Sequence, residues 1–69
     1  MNKYQRKVQD IVIDIYDILA AYNVTDQAVG HAIKKLLMPG QRGHKTALQD
    51  LMEAKASIER AITIMEAQK

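Results

Sequence analysis

The chain contains no cysteine, no tryptophan and no phenylalanine. Lacking thiols, it can form neither disulfides nor thiolate zinc sites, and it suits a reducing compartment, so a cytoplasmic location is expected. Its three tyrosines all precede residue 23, which leaves no aromatic platform for stacking single-stranded nucleic acid. Ten Lys and Arg against eight Asp and Glu give a net charge of only +2. That excess is too small to argue for wrapping duplex DNA, where contacts to many phosphates are normal. Long apolar runs are missing as well: "VQDIVIDIYDILAAY" is broken by Asp10, Asp14 and Asp17, so it reads neither as a signal peptide nor as a membrane span. A soluble protein without a membrane partner is expected. Proline occurs once and glycine three times, and where they fall is informative.

At 69 residues the chain has room for one domain, and a chain so short buries only about 60% of its unfolded surface. A monomer would be marginal, and a further stabilising element is expected. The pattern over 3–22 reads as one helix: Tyr4, Val8, Ile11, Ile15, Ile18 and Tyr22 recur at alternating spacings of four and three, and Val12, Tyr16 and Leu19 widen the stripe. A second helix is expected over 26–38. Thr25 is the candidate cap, Asp26 suits the positive first turn, and Val24 can pack on Val29 as a staple. Pro39 disfavours helical geometry at Met38, and Gly40 can take the left-handed conformation that ends a helix. Thr46 and Gln49 form a T-x-x-Q capping box, which starts a third helix over 46–67. Leu48, Leu51, Ile58, Ile62 and Met65 make its apolar stripe, interrupted by Lys55, and Ala47, Ala54 and Ala61 allow a close neighbour.

No strand alternation, repeat or linker is read from the sequence. The expected fold is therefore all-α and a single domain, with two long helices packed as a hairpin around a short middle helix. The first helix is apolar around more than half its circumference, more than one neighbour would cover, so a homo-oligomeric helical bundle is expected.

The link "MPGQRGHKTALQ" gathers the only proline, two of the three glycines, and Arg42, His44 and Lys45. Gly40 and Gly43 can take dihedrals closed to other residues and let amides converge on a ligand. The third helix then begins, with free N–H groups and a partial positive charge at Thr46 and beyond. Arg42 adds a planar fork of donors and Lys45 a mobile point charge. Together these suit a phosphate. His31, Lys34 and Lys35 near the end of the second helix extend the basic region. The link is not a Walker loop, which needs G-x-x-x-x-G-K-[ST] after a strand. Gly30 within a helix costs up to about 1 kcal/mol relative to alanine, so close helix contact or close ligand approach is expected there.

Asp10, Asp14 and Asp17, at i, i+4 and i+7, form an acidic stripe on the expected first helix. Helical nucleotide pyrophosphatases hold Mg²⁺ with acidic pairs on two helices. The matching pair is missing, because Glu53 and Glu59 are six apart. The stripe is therefore read as a solvated face or as a docking surface for the basic loop of another subunit. No nucleophile–base pair is legible. No catalytic residue, metal or cofactor is expected.

From Val29 onward the chain resembles a small bacteriophage family of nucleotide kinase-like proteins. The shared features are Gly30, Ile33, Lys34 and Leu36 on one helix, Gly43, His44 and Lys45 in a basic link, then Asp50, Leu51, Ala54, Ile58 and Arg60 on the next helix. The resemblance covers residues 29–62. It implies phage origin, hence the cytoplasm of a host bacterium, helical oligomers and binding of nucleotides or their phosphates. It adds Lys34, Lys45, Asp50 and Arg60 as candidate site residues. Lys35 and Ser57 stand where the family often has tyrosine, and "PGQR" lengthens the link. The candidate ligand-binding set is thus His31, Lys34, Lys35, Arg42, Gly43, His44, Lys45, Thr46, Asp50 and Arg60. The expected function is capture of a phosphorylated or cyclic nucleotide, such as a defence signal, without turnover. The alternatives are a nucleoside monophosphate kinase-like enzyme and an interaction module that inhibits a host protein.

Overall fold

The structure is a computed structural model and describes residues 2, 4–41 and 43–68. It is mostly helical, but it opens with a β-hairpin. Strand β1, Gln5–Val8, pairs antiparallel with β2, Ile11–Asp14, in the register Gln5↔Asp14, Arg6↔Ile13, Lys7↔Val12 and Val8↔Ile11. Three helices follow: α1 over Ile15–Ala21, α2 over Gln27–Leu37 and α3 over Ala47–Ala67.

The helix expected over 3–22 is therefore corrected. Lys3 lies outside the described residues, 5–14 is strand and turn, and only Ile15–Ala21 is helical. Two local features outweigh the four-three spacing. Gln9 and Asp10 both take positive φ, +48° and +67°, as a two-residue primed turn requires, and the flanking Val8, Ile11, Val12 and Ile13 are β-branched residues that fit a pleated surface. Asp14 and Asp17 then form a reciprocal capping box: the Asp14 carboxylate accepts from the Asp17 amide and the Asp17 carboxylate accepts from the Asp14 amide, each at 2.9 Å. That box satisfies the first amides of a helix starting at Ile15, so it fixes a boundary in the middle of the expected element. The expectation of no strand, and that of two long helices packed as a hairpin, fall with it; α3 is the only long helix among the described residues.

Helix α1 ends at Tyr22, and Asn23 adopts left-handed φ +56° while the Val24 amide donates to Leu19 O at 2.8 Å. The next helix is capped by Asp26 rather than Thr25, its carboxylate accepting from the Val29 amide at 2.9 Å. The shift of one residue also removes the register of a Val24–Val29 staple. Helix α2 stops at Leu37, with Met38 as its C-cap, where Pro39 disfavours helical geometry at the residue before it. Thr46 caps α3 as expected, its hydroxyl accepting from the Gln49 amide at 3.0 Å.

Helix α2 is the middle element. On one side it packs along α3, where Ala32, Ala54 and Ala61 are buried and allow close approach. On its other side lies α1: a Cβ on Gly30 would meet Leu19 Cδ1 at 3.8 Å, and the Lys34 ammonium sits 4.7 Å from the centre of the Tyr16 ring. The hairpin reaches the α2–α3 link through Arg6, whose guanidinium donates to Gln41 Oε1 at 3.2 Å. The apolar core is small: Ile15, Ala32, Met38, Ala54 and Ala61. The stripe Leu48, Leu51, Ile58, Ile62 and Met65, expected to lie against a long first helix, is exposed instead, because residues 5–14 form the hairpin.

Candidate phosphate-binding groove

The link between α2 and α3 is fixed by a buried carboxylate. Gly40 and Gly43 both take left-handed φ, +73° and +70°, the conformation open to glycine at no steric cost. At Gly40 the backbone also passes close to α3, since a Cβ there would meet Ala47 N at 3.0 Å. The Gly40 amide donates to Asp50 Oδ2 at 2.7 Å, and Asp50 is fully buried. A charge-assisted bond of this length ties the link down onto the first turn of α3. Asp50 therefore shapes the link from beneath, and its carboxylate faces the Gly40 backbone.

Above that anchor, two cations converge on one carboxylate. Lys45 Nζ lies 2.6 Å and Lys35 Nζ 3.5 Å from the same oxygen, Glu53 Oε1. The hydrogen bond from Lys45 is the chief cause holding the Glu53 carboxyl below its ordinary range; burial opposes it, and Lys35 adds to the lowering. Two ammonium groups face one carboxylate here, and the buried Asp50 places a second negative charge in the first turn of α3. Lys35 is almost wholly buried, so its stem is packed and its head group is held in place.

Two depressions lie along α3 beside this cluster. The first, of about 340 Å³, lies on α3 alone and is lined by Thr46, Leu48, Gln49, Met52, Glu53 and Ala56. Ala56 also borders the second, a groove of about 440 Å³ where His31 and Gln27 of α2 face Ser57 and Arg60 of α3. His31 and Lys35 are one turn apart on α2, as Glu53 and Ser57 are on α3, so each pair shares one face of its helix. Among the residues lining the two depressions Glu53 is the only carboxylate.

The structure thus brings together Lys35 and Lys45, and sets His31 and Arg60 across the groove from one another. Gly43 and His44 are exposed on the link and Thr46 caps α3. Lys34 turns toward α1, its ammonium 3.5 Å from the Tyr16 hydroxyl, and lines a depression with His31 and Gly30 on that side. Arg42 lies outside the described residues. Glu53, set aside in the sequence because it makes no pair with Glu59, is the group on which the cations meet. The signal that could have found it is its place two turns into α3, facing the end of α2 across the link.

The acidic stripe read from Asp10, Asp14 and Asp17 does not form. Asp10 sits in the hairpin turn, 3.5 Å from the Lys7 ammonium, while Asp14 and Asp17 cap α1. Among the described residues no group of three or more His, Asp or Glu side chains is placed to hold a metal ion, and no helix is long and apolar enough to cross a membrane. No family model, curated protein or solved structure matches the chain.

Proposed function

We propose that the chain is a binding protein for a phosphorylated nucleotide, with the phosphates held at the Lys35–Glu53–Lys45 cluster and the nucleoside lying toward His31 and Arg60. The observation that carries this reading is the meeting of the Lys35 and Lys45 ammonium groups on one oxygen of Glu53. A carboxylate already occupies the place where an anion is attracted, and a phosphate offers the same two cations more charge and more acceptor oxygens. The partial positive charge at the head of α3 adds to the attraction, while the Gly40 and Gln49 amides are engaged by Asp50 and Thr46. Arg42, in the same link, is the expected further donor.

The proposed mode is capture without turnover, acting in the cytoplasm of a host bacterium as the phage resemblance implies, with a nucleotide defence signal as the class of ligand. We also propose that the protein works as a homo-oligomer, since among the described residues the buried apolar side chains are only Ile15, Ala32, Met38, Ala54 and Ala61. Screening mononucleotides and cyclic dinucleotides by thermal shift, in parallel with Lys45→Ala and Arg42→Ala variants, tests the binding reading. The expected result is stabilisation by at least one ligand class that shrinks in both variants. Equal stabilisation of the variants, or none for any nucleotide, would remove the reading.

A further inference from the structure

A one-layer molecule leaves a whole face uncovered. The chain's surface is 5308 Å², against about 4,400 Å² for a folded monomer of 7.8 kDa. Its radius of gyration is 13.5 Å and its Cα extents are 43 × 28 × 13 Å, where about 11 Å is the radius expected of a compact domain of 69 residues. The shape is a plate, with α2 between α1 and α3. Stable domains pack two layers around a core, and here the second layer is missing.

The two sides of the plate differ in chemistry. One carries the polar and charged side chains His31, Lys35, Glu53 and Arg60. Helical geometry sets Leu51, Ile58, Ile62 and Met65, spaced seven, four and three apart, on the opposite side of α3 from Ala56 and Arg60. Leu36 continues the apolar surface on α2, and all five side chains are 42–51% exposed.

We propose that this apolar side is the docking surface for the same side of a second copy of the chain, giving a two-layer, two-fold assembly with one α2–α3 groove on each outer face. The area argues for a copy of this size: the excess surface is roughly 900 Å², close to the roughly 800 Å² that each partner contributes to a standard interface. The chemistry argues for self-pairing, because an isologous contact needs one patch that complements itself. The stripe is uniformly aliphatic or thioether, and the flanking Lys55 and Glu59 have opposite signs. Antiparallel pairing centred on Ile58 sets each Lys55 toward the Glu59 of the other copy. This inference rests on the homo-oligomer reading and is independent of the ligand in the groove.

The absence of native cysteine makes the test direct. Ile58→Cys and Ala56→Cys variants of the full chain are oxidised at low protein concentration, and the unmodified protein's mass is measured by light scattering after gel filtration. Ile58→Cys should form a disulfide-linked dimer, Ala56→Cys, about 200° round the helix, should not, and the unmodified protein should show twice its chain mass. A single-chain mass would sink the oligomer reading altogether. An oligomer in which Ala56→Cys links as well as or better than Ile58→Cys would leave that reading standing and overturn the proposed face. An Ile62→Glu variant supplies the second check: monomeric mass or loss of cooperative unfolding is expected, and an unchanged dimer contradicts the proposal.

Discussion

Replacing Asp50 by alanine should loosen the link more than any exposed substitution. Asp50 is fully buried and accepts the Gly40 amide at 2.7 Å, and a hydrogen bond to a charged group contributes about 1.5–3 kcal/mol. Its position in the first turn of α3 adds roughly 0.3–1 kcal/mol through the helix dipole. Asp50→Ala should therefore cost about 2–4 kcal/mol, a large share of the roughly 3–10 kcal/mol available to a chain of this length. The melting temperature should fall on the order of 10–20 °C. Asp50→Asn retains an acceptor oxygen for Gly40 and should cost less, about 1–2 kcal/mol. Urea unfolding followed by circular dichroism measures both. If Asp50→Ala unfolds within about 0.5 kcal/mol of the parent, the carboxylate does not anchor the link and the geometry of the Lys35–Glu53–Lys45 cluster has another origin.

The glycines should separate by surroundings. Gly40→Ala combines left-handed φ with a Cβ 3.0 Å from Ala47 N, whereas at Gly43 the φ is similar and the space is open; unfolding should show a cost of about 1 kcal/mol at Gly43 and distinctly more at Gly40. Gly30→Ala should instead stabilise by roughly 0.5–1 kcal/mol, because a Cβ there meets Leu19 at an ordinary 3.8 Å and the helix gains a better former. Glu53 sets an acid dependence. Its folded carboxyl titrates below its ordinary value of 4.5, so its contribution to stability is fully present above that value and is lost as pH falls through the lower folded one. Urea midpoints measured across the acid range should show Glu53→Gln lacking this part of the decline.

The back half of the chain was legible because its signals are local. Thr46 and Gln49 mark a helix start whatever surrounds them, Pro39 and Gly40 mark a stop, and the structure has both boundaries within a residue. The front half is ambiguous because Val8, Ile11 and Ile15 satisfy a four-three helical spacing and, with Val12 and Ile13, a β-branched strand pattern at once. Gln9-Asp10 as a turn, and Asp14-x-x-Asp17 as a cap, held the deciding information. At the site, Lys35 and Lys45 were visible as cations and Gly40 as a hinge. Their meeting on Glu53, and the burial of Asp50 beneath Gly40, depend on how α2 folds back along α3, which spacing within either helix does not encode.

The most direct measurement is a calorimetric titration of pyrophosphate into the parent protein, Lys45→Ala and Glu53→Gln at low ionic strength. If Lys35 and Lys45 form an anion site that Glu53 now occupies, Glu53→Gln should bind more tightly than the parent. Lys45→Ala should bind at least about tenfold more weakly, as expected for loss of a charge-assisted contact. Binding that is absent in all three, or that weakens when Glu53 is neutralised and ignores Lys45, would contradict the site.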